Sequence, residues 1–274
     1  AAIPTQAQDW LYTDEVQKAE PLNNIRYKGE MQASFSKGHT PLWLNANKHG
    51  LSSLDRTNGY MRVALERPLQ TDSARRWGLG YALDVVAPLH YTSNVVVQQA
   101  YIEGRWLHGT LTVGSKQWPM ELKNKSGPEE VTDRLSSDSQ TLGINARPVP
   151  QVRLALPNYW TLPFAGGWLQ LKGHIAYGMM TDDNWQHDFT NYQNSYADRV
   201  LYHSKAGYLR IGRDEDMYPF SVEMGLEMAC EFGGTPHVKL ADGNMIEMPA
   251  GKGLSAFWHA FIPGGQDTSD GVYG

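Results

Sequence analysis

Between residues 181 and 200 the chain sets Asp182, Asp183, Trp185, His187, Asp188, Tyr192 and Tyr196 in a polar stretch. Such a mixture can hold a sugar. An indole or phenol face stacks on the C–H patch of a sugar ring while carboxylates accept hydrogen bonds from its hydroxyls, and ligand pockets in general divide the work in this way. Trp185 offers the largest stacking face, with Asp182 and Asp183 close by, and Trp43 in an earlier polar stretch is the alternative anchor. A solvated surface loop accounts for the same residues, and both readings stand at this point.

Other chemistry has thinner support. His39, His90, His108, His174, His203 and His259 are scattered without a pair at metal-ligand spacing, so no metal and no cofactor is expected. Ser204 beside His203, with Asp198 nearby, has the residue types of a hydrolase. No GxSxG elbow accompanies them, and neighbouring residues of a strand point to opposite faces. Cys230, the single cysteine, excludes an internal disulfide; its register with Met224, Leu226 and Met228 makes it a small outward hydrophobe.

A third group of charged residues is defined by periodicity. Lys28, Glu30, Arg62, Glu66, Asp84, Glu103, Arg105, Arg153, Lys172, Glu223 and Glu227 occupy alternate positions in segments whose intervening positions are largely apolar. Both signs are mixed. If these rows face inward, they form either a salt-bridged lining that braces the interior or the wall of an ion-selective pore.

Extended strands must carry such rows. In residues 77–85, Trp77, Leu79, Tyr81, Leu83 and Val85 alternate with Gly78, Gly80, Ala82 and Asp84, a period of two that puts every large apolar group on one face. The same alternation recurs in 27–36, 60–67, 95–107, where Val96, Ala100, Ile102 and Trp106 share the apolar face, 110–116, 168–179 and 220–232, less cleanly in 140–156 and 201–211, and is expected once more at 254–262. Residues 9–18 are the one early helical candidate. His108 and Gly109 mark a tight hairpin turn. Long connections follow the odd strands and short ones the even strands, except at 88–94. A meander with that alternation has long loops at one end and short turns at the other, as outer-membrane barrels do. Trp77, Trp106, Trp168, Tyr218 and Phe220 fall at short-turn ends, and Tyr60, Tyr177, Tyr202 and Phe232 at long-loop ends, where aromatic girdles would sit.

Composition narrows the classes. The formal net charge of the 274 residues is -5 and no polybasic run occurs, so nucleic acid is not an expected partner. No stretch approaches the roughly 18 apolar residues of a membrane helix, which barrels lack as well. Fourteen Tyr and nine Trp are a heavy load for a soluble domain. The expectation is therefore an all-β, antiparallel up-and-down transmembrane β-barrel over residues 27–274, incomplete at its C-terminal side, after a polar periplasmic lead-in at 1–26 whose export signal is already removed. A soluble sandwich is the alternative that the same alternation allows.

Three stretches resemble the Wzi family of capsule-assembly proteins, in the version carried by Bacteroides-like bacteria: residues 41–54 (PLWLNANKHGLSSL), 143–154 (GINARPVPQVRL) and 167–185 (GWLQLKGHIAYGMMTDDNW). The resemblance extends from about Tyr27 to the end. It implies a monomeric outer-membrane barrel, in contact with outer-membrane lipid, that binds capsular polysaccharide at the cell surface and supports capsule assembly or attachment without enzymatic activity. The alternatives are a passive diffusion porin and an outer-membrane barrel hydrolase acting on lipid or glycan.

Overall fold

Alternation of period two builds one sheet in strict chain order. In the computed structural model, which describes residues 22–38, 46–72, 76–91, 93–118, 141–164, 166–181, 185–189, 193–212 and 220–262, nine strands pair with their sequence neighbours. They are β1 (Arg26–Phe35), β2 (Thr57–Arg67), β3 (Trp77–Leu89), β4 (Val96–Trp106), β5 (Gly109–Ser115), β6 (Gln151–Thr161), β7 (Leu169–Met179), β9 (Leu201–Ile211) and β10 (Val222–Phe232). Every pair is antiparallel. Three short strands, β8 (Tyr196–Asp198), β11 (Thr235–Lys239) and β12 (Met245–Glu247), form a second sheet in the order β12-β11-β8. Two helices, α1 (Trp185–Phe189) and α2 (Leu254–Phe261), complete the described elements with a 3-10 turn at Leu69–Asp72. The protein is an all-β, antiparallel structure. No described helix is long and apolar enough to cross a membrane, which says nothing of strands.

The connections sort by length as the sequence predicts. Residues 36–56, 116–150 and 180–200 join strands at one end of the sheet, together with the short 90–95 link that is out of pattern; 68–76, 107–108, 162–168 and 212–221 join them at the other. The hairpin turn is Leu107–His108, one residue earlier than expected, and Leu107 takes the left-handed conformation at φ 54. Residues 9–18 lie outside the described part.

Burial is inverted with respect to a water-soluble sheet. The face that carries Met31, Met61, Val63, Leu83, Ile102, Leu111, Val152, Leu154 and Leu226 is exposed, whereas the opposite face buries Arg62, Asp84, Glu103, Thr112, Gln170, Ser204 and Arg210. The only buried apolar clusters among the described residues are small: Leu51, Tyr60, Val86 and Val96 in one, Phe232, Ala256 and Ala260 in the other. Soluble domains fold by burying their large apolar face, and among the described residues this nine-stranded sheet leaves much of that face bare.

Four expectations need correction. Residues 254–262 are helical, because the run Leu254–Phe261 has no Gly, Pro or β-branched residue and its Ala256 and Ala260, four apart, fit closely against Phe232. The strand expected over 140–156 starts only at Gln151, after the two prolines that cannot donate to a ladder. Val96, assigned to the apolar face, is buried on the polar face, since a bulge shifts the β3–β4 register between Asp84 and Val85 and reverses the parity of β4. Of the expected long-loop girdle, Tyr60 and Tyr202 have the parity of the polar face, opposite Gln32 and Gly178, and Tyr177 and Phe232 are covered by α2. The short-turn end does carry exposed aromatics: Trp77 stacks on Trp106 at 5.8 Å, and Trp168 and Phe220 lie near the turns in sequence, while the half-buried Trp160 stacks on His108. Tyr218 is outside the described residues.

Candidate functional site

Two regions hold the residues singled out in the sequence. The first is the polar face itself. Cross-strand register places all eleven charged residues of the alternating rows there, because each faces another polar-face residue in the neighbouring strand: Glu30 opposite Arg62, Glu66 opposite Ala82, Glu103 opposite Gly80 and Thr112, Arg105 opposite Gly78 and Thr110, Glu223 opposite Arg210.

Most of these charges are engaged locally. Arg62 Nε donates to both carboxylate oxygens of Asp84 at 2.9 and 3.0 Å, Gln99 adds a third donor at 3.1 Å, and Glu30 lies 3.7 Å from the same guanidinium. Glu103 accepts from Lys116 at 2.5 Å, while the Arg153 guanidinium lies 3.8 Å above the Trp118 ring. Glu66 accepts from the Tyr101 hydroxyl at 3.3 Å. Arg210 reaches Glu223 at 3.6 Å and covers the Tyr159 ring, Tyr208 donates to Glu227, and Lys172 lies over the Tyr208 ring. Paired charges and cation–π contacts of this kind fix strands relative to one another.

At the long-loop end two of the motif stretches meet on this face. Leu51 packs against Tyr60, Val86 and Val96, and the Gln98 amide donates to the His49 carbonyl at 2.8 Å. His49 N–H donates to the Ile144 carbonyl at 2.7 Å, and Asn47 N–H to the Asn145 side chain at 2.7 Å. Gly50, at φ 74, touches 147: a Cβ there would sit 2.7 Å from the Arg147 backbone nitrogen. A side chain cannot be accommodated without moving that backbone. Sequence reasoning quoted both stretches but had no means of bringing them together.

The second region is built above the same end. Gln186 of α1 donates to the Ala197 carbonyl of β8 at 3.0 Å, which ties the short helix to the small sheet. Trp185 and Phe189 are one turn apart on α1, with ring centroids 5.7 Å apart, and both are exposed. Tyr196 stacks on His237 at 4.4 Å and 9°, and His187 meets the Tyr196 ring edgewise at 5.3 Å. His237 lies between two acids, with Nε2 3.4 Å from Asp198 and Nδ1 3.8 Å from Glu247. Aromatic faces and carboxylates thus stand side by side, the composition expected of a sugar site. Asp182, Asp183, Tyr192 and Trp43 lie outside the described residues.

Sequence reasoning missed His237, Glu247 and Phe189. One signal was available: Asp242–Gly243 is a hairpin dipeptide, and it forms the turn between β11 and β12 with Leu240 N–H donating to Asn244 O at 2.8 Å. The structure also pairs Ser204 with His174 at 3.3 Å, across β7 and β9, and buries both. His203 points to the other face, as expected, so the Ser204–His203 arrangement does not form. Among the described residues no carboxylate is hydrogen-bonded to this Ser–His pair. Among the described residues no cluster of His, Cys, Asp and Glu is arranged to hold a metal ion.

The fold defines the class: an all-β protein dominated by a nine-stranded antiparallel meander. The chain matches no family model, no curated protein and no solved structure in comparisons at each of these levels.

Proposed function

We propose that the chain forms an up-and-down transmembrane β-barrel of the bacterial outer membrane that binds capsular polysaccharide at the cell surface and supports its assembly or attachment by binding alone. The long connections face outward and the short turns face the periplasm. The protein acts as a monomer, and its apolar face meets outer-membrane lipid. The observation that carries this reading is the inverted sheet, with aliphatic and aromatic side chains bare on one face and paired charges buried on the other.

Strand length agrees. Strands of 11 residues such as β2, β6 and β7 rise about 3.3 Å per residue and, tilted by about 45°, cover about 25 Å, the height of the apolar band of an outer-membrane barrel. Glycan recognition rests on the aromatic and acidic cluster around Trp185 and Tyr196, and on the three stretches that resemble Wzi proteins. Capsular polysaccharide from the producing cell, titrated into the purified protein, is expected to bind; failure to bind any such glycan removes the functional half of the proposal.

The polar face supports a second reading, a diffusion porin. Planar bilayers separate the two. A porin gives steady ionic conductance, whereas a polar face braced by pairs such as Arg62–Asp84 and covered by residues 46–54 at the long-loop end gives little.

A further inference from the structure

A polar break on β9 interrupts the apolar face. His203 and Lys205 have the outward parity of β9, in a row with Leu201, Leu209 and Ile211, and stand opposite Tyr177 and Ile175 on one side and Cys230 and Met228 on the other. Neither is left bare, because α2 lies across them. His203 is 0% exposed, its ring stacked 4.3 Å from that of Tyr177. Its Nδ1 lies 2.9 Å from the Ala176 carbonyl, and its buried Nε2 has no hydrogen-bond partner among the described residues. The Lys205 ammonium donates to the Phe261 carbonyl in the last turn of α2 and lies 4.4 Å from the Phe261 ring centroid. A cation at a helix C-terminus meets the negative end of the helix dipole. The Tyr177 hydroxyl donates to the Phe257 carbonyl at 3.1 Å, and the Cys230 thiol approaches the Ala260 carbonyl at 3.6 Å.

The chain is led to this place deliberately. After β10 it rises into the small sheet, and 248–250 return along β11 with Met248 N–H donating to Pro236 O and Ala250 N–H to Gly234 O. That return delivers α2 to the rim of the apolar face. Its small side, Ala256 and Ala260, faces Phe232, and its large side is bare: Leu254 is 90% exposed and Trp258 59%.

We infer that α2 is an interfacial helix, lying in the plane of the membrane between the rim of the sheet and the lipid of the outer leaflet, with Leu254 and Trp258 inserted at the level of the headgroup boundary and His203 and Lys205 sealed beneath it. The inference rests on the membrane reading above. Continuity names the occupant: the bare side of α2 lies on the same face as the exposed Ile175, Ile211, Val222, Met224 and Leu226 of β7, β9 and β10, and the helix span itself carries no Lys, Arg, Asp or Glu. A Trp at the boundary level is where an amphipathic ring is best placed, apolar body in and N–H toward water. The helix also removes a cation and an unpartnered imidazole nitrogen from contact with hydrocarbon, where each is costly.

The test uses the full protein in lipid vesicles on a Cys230→Ala background, with an NBD fluorophore placed in turn at Trp258→Cys, Leu83→Cys and Asp242→Cys. Quenchers are aqueous iodide and lipids labelled either near the headgroup or near the chain end. Quenching of the 258 probe mainly by headgroup-level labels, and of the 83 probe by deeper labels, supports the inference; the 242 probe should answer to iodide alone. A 258 probe open to iodide and blind to lipid labels, with the 83 probe still in lipid, overturns the role of α2 and leaves the membrane reading standing. Iodide quenching at both 258 and 83 overturns both. If Trp258→Cys does not assemble, Leu254→Cys carries the same prediction.

Discussion

Arg62 and Asp84 lie diagonally across β2 and β3 and form a forked ion pair, Nε within 3.0 Å of both carboxylate oxygens, on a face from which both side chains are nearly excluded from solvent. Removing one partner strands the other. Breaking a buried pair in this way costs about 3 to 5 kcal/mol, against about 1 kcal/mol or less for a pair bathed in water. Asp84→Asn is therefore expected to lose stability in the upper range, measured by urea unfolding in lipid vesicles, and Arg62→Met/Asp84→Leu to recover much of it. A loss under about 1 kcal/mol would mean that water fills the space around Arg62, as in an open pore.

The two faces of the sheet predict opposite responses to charge. Leu83 is bare on the apolar face, and Leu83→Arg is expected to cost about 2 to 4 kcal/mol near the bilayer midplane. Gln170 lies on the polar face with its carbonyl oxygen 3.5 Å from Arg210 Nη1, so Gln170→Glu places a carboxylate beside a cation and should be far milder. Because Gln170 is buried, that mildness belongs to an acid; a lysine there would face Arg210. Comparable losses for Leu83→Arg and Gln170→Glu in vesicles would place protein on both faces, as in a sandwich.

The strands were legible because a side-chain period of two holds wherever the ladder is regular, and the eleven charged positions share a face for the same reason. Parity fails where the ladder slips by one residue, and the bulge at Asp84–Val85 is what misplaced Val96. Residues 254–262 misled differently: alternating large and small residues over a short span fit a strand and a helix alike, and the choice is made by Phe232, which accepts the two alanines. Contacts between distant loops left no local trace. His49 meets Ile144 through backbone groups, and His237 joins Tyr196 only because β11 pairs with β8.

Sidedness follows from loop length. Protease added to intact cells is expected to cut within 37–58, 118–139, 181–200 or 233–253 and to spare 68–75 and 212–219. This expectation rests on the proposed barrel, in which the long loops face outward. Cuts confined to the second group, mapped by mass spectrometry of released fragments, would invert the topology and move the Trp185 cluster to the periplasm, away from any capsule.

Trp185 carries the last prediction. Its indole is partly exposed and touches Phe189, whereas Tyr196 has one ring face taken by His237 and an edge contact from His187. Trp185 is thus the larger free surface for a sugar ring. The helix that carries it is held by the Gln186 side chain bonding to Ala197, so truncating the indole leaves the support of α1 in place. Loss of an aromatic anchor at a recognition site typically costs about 2 kcal/mol or more, roughly thirtyfold in affinity. Trp185→Ala is expected to abolish or greatly weaken retention of capsular polysaccharide while heat-modifiable mobility on gels, the sign of an assembled barrel, is unchanged. Phe189→Ala should weaken retention less, because a phenyl ring offers less stacking area. Undiminished capsule on cells carrying Trp185→Ala would make Trp185 an ordinary loop residue and shift attention to the first long loop, where Trp43 stands in the sequence.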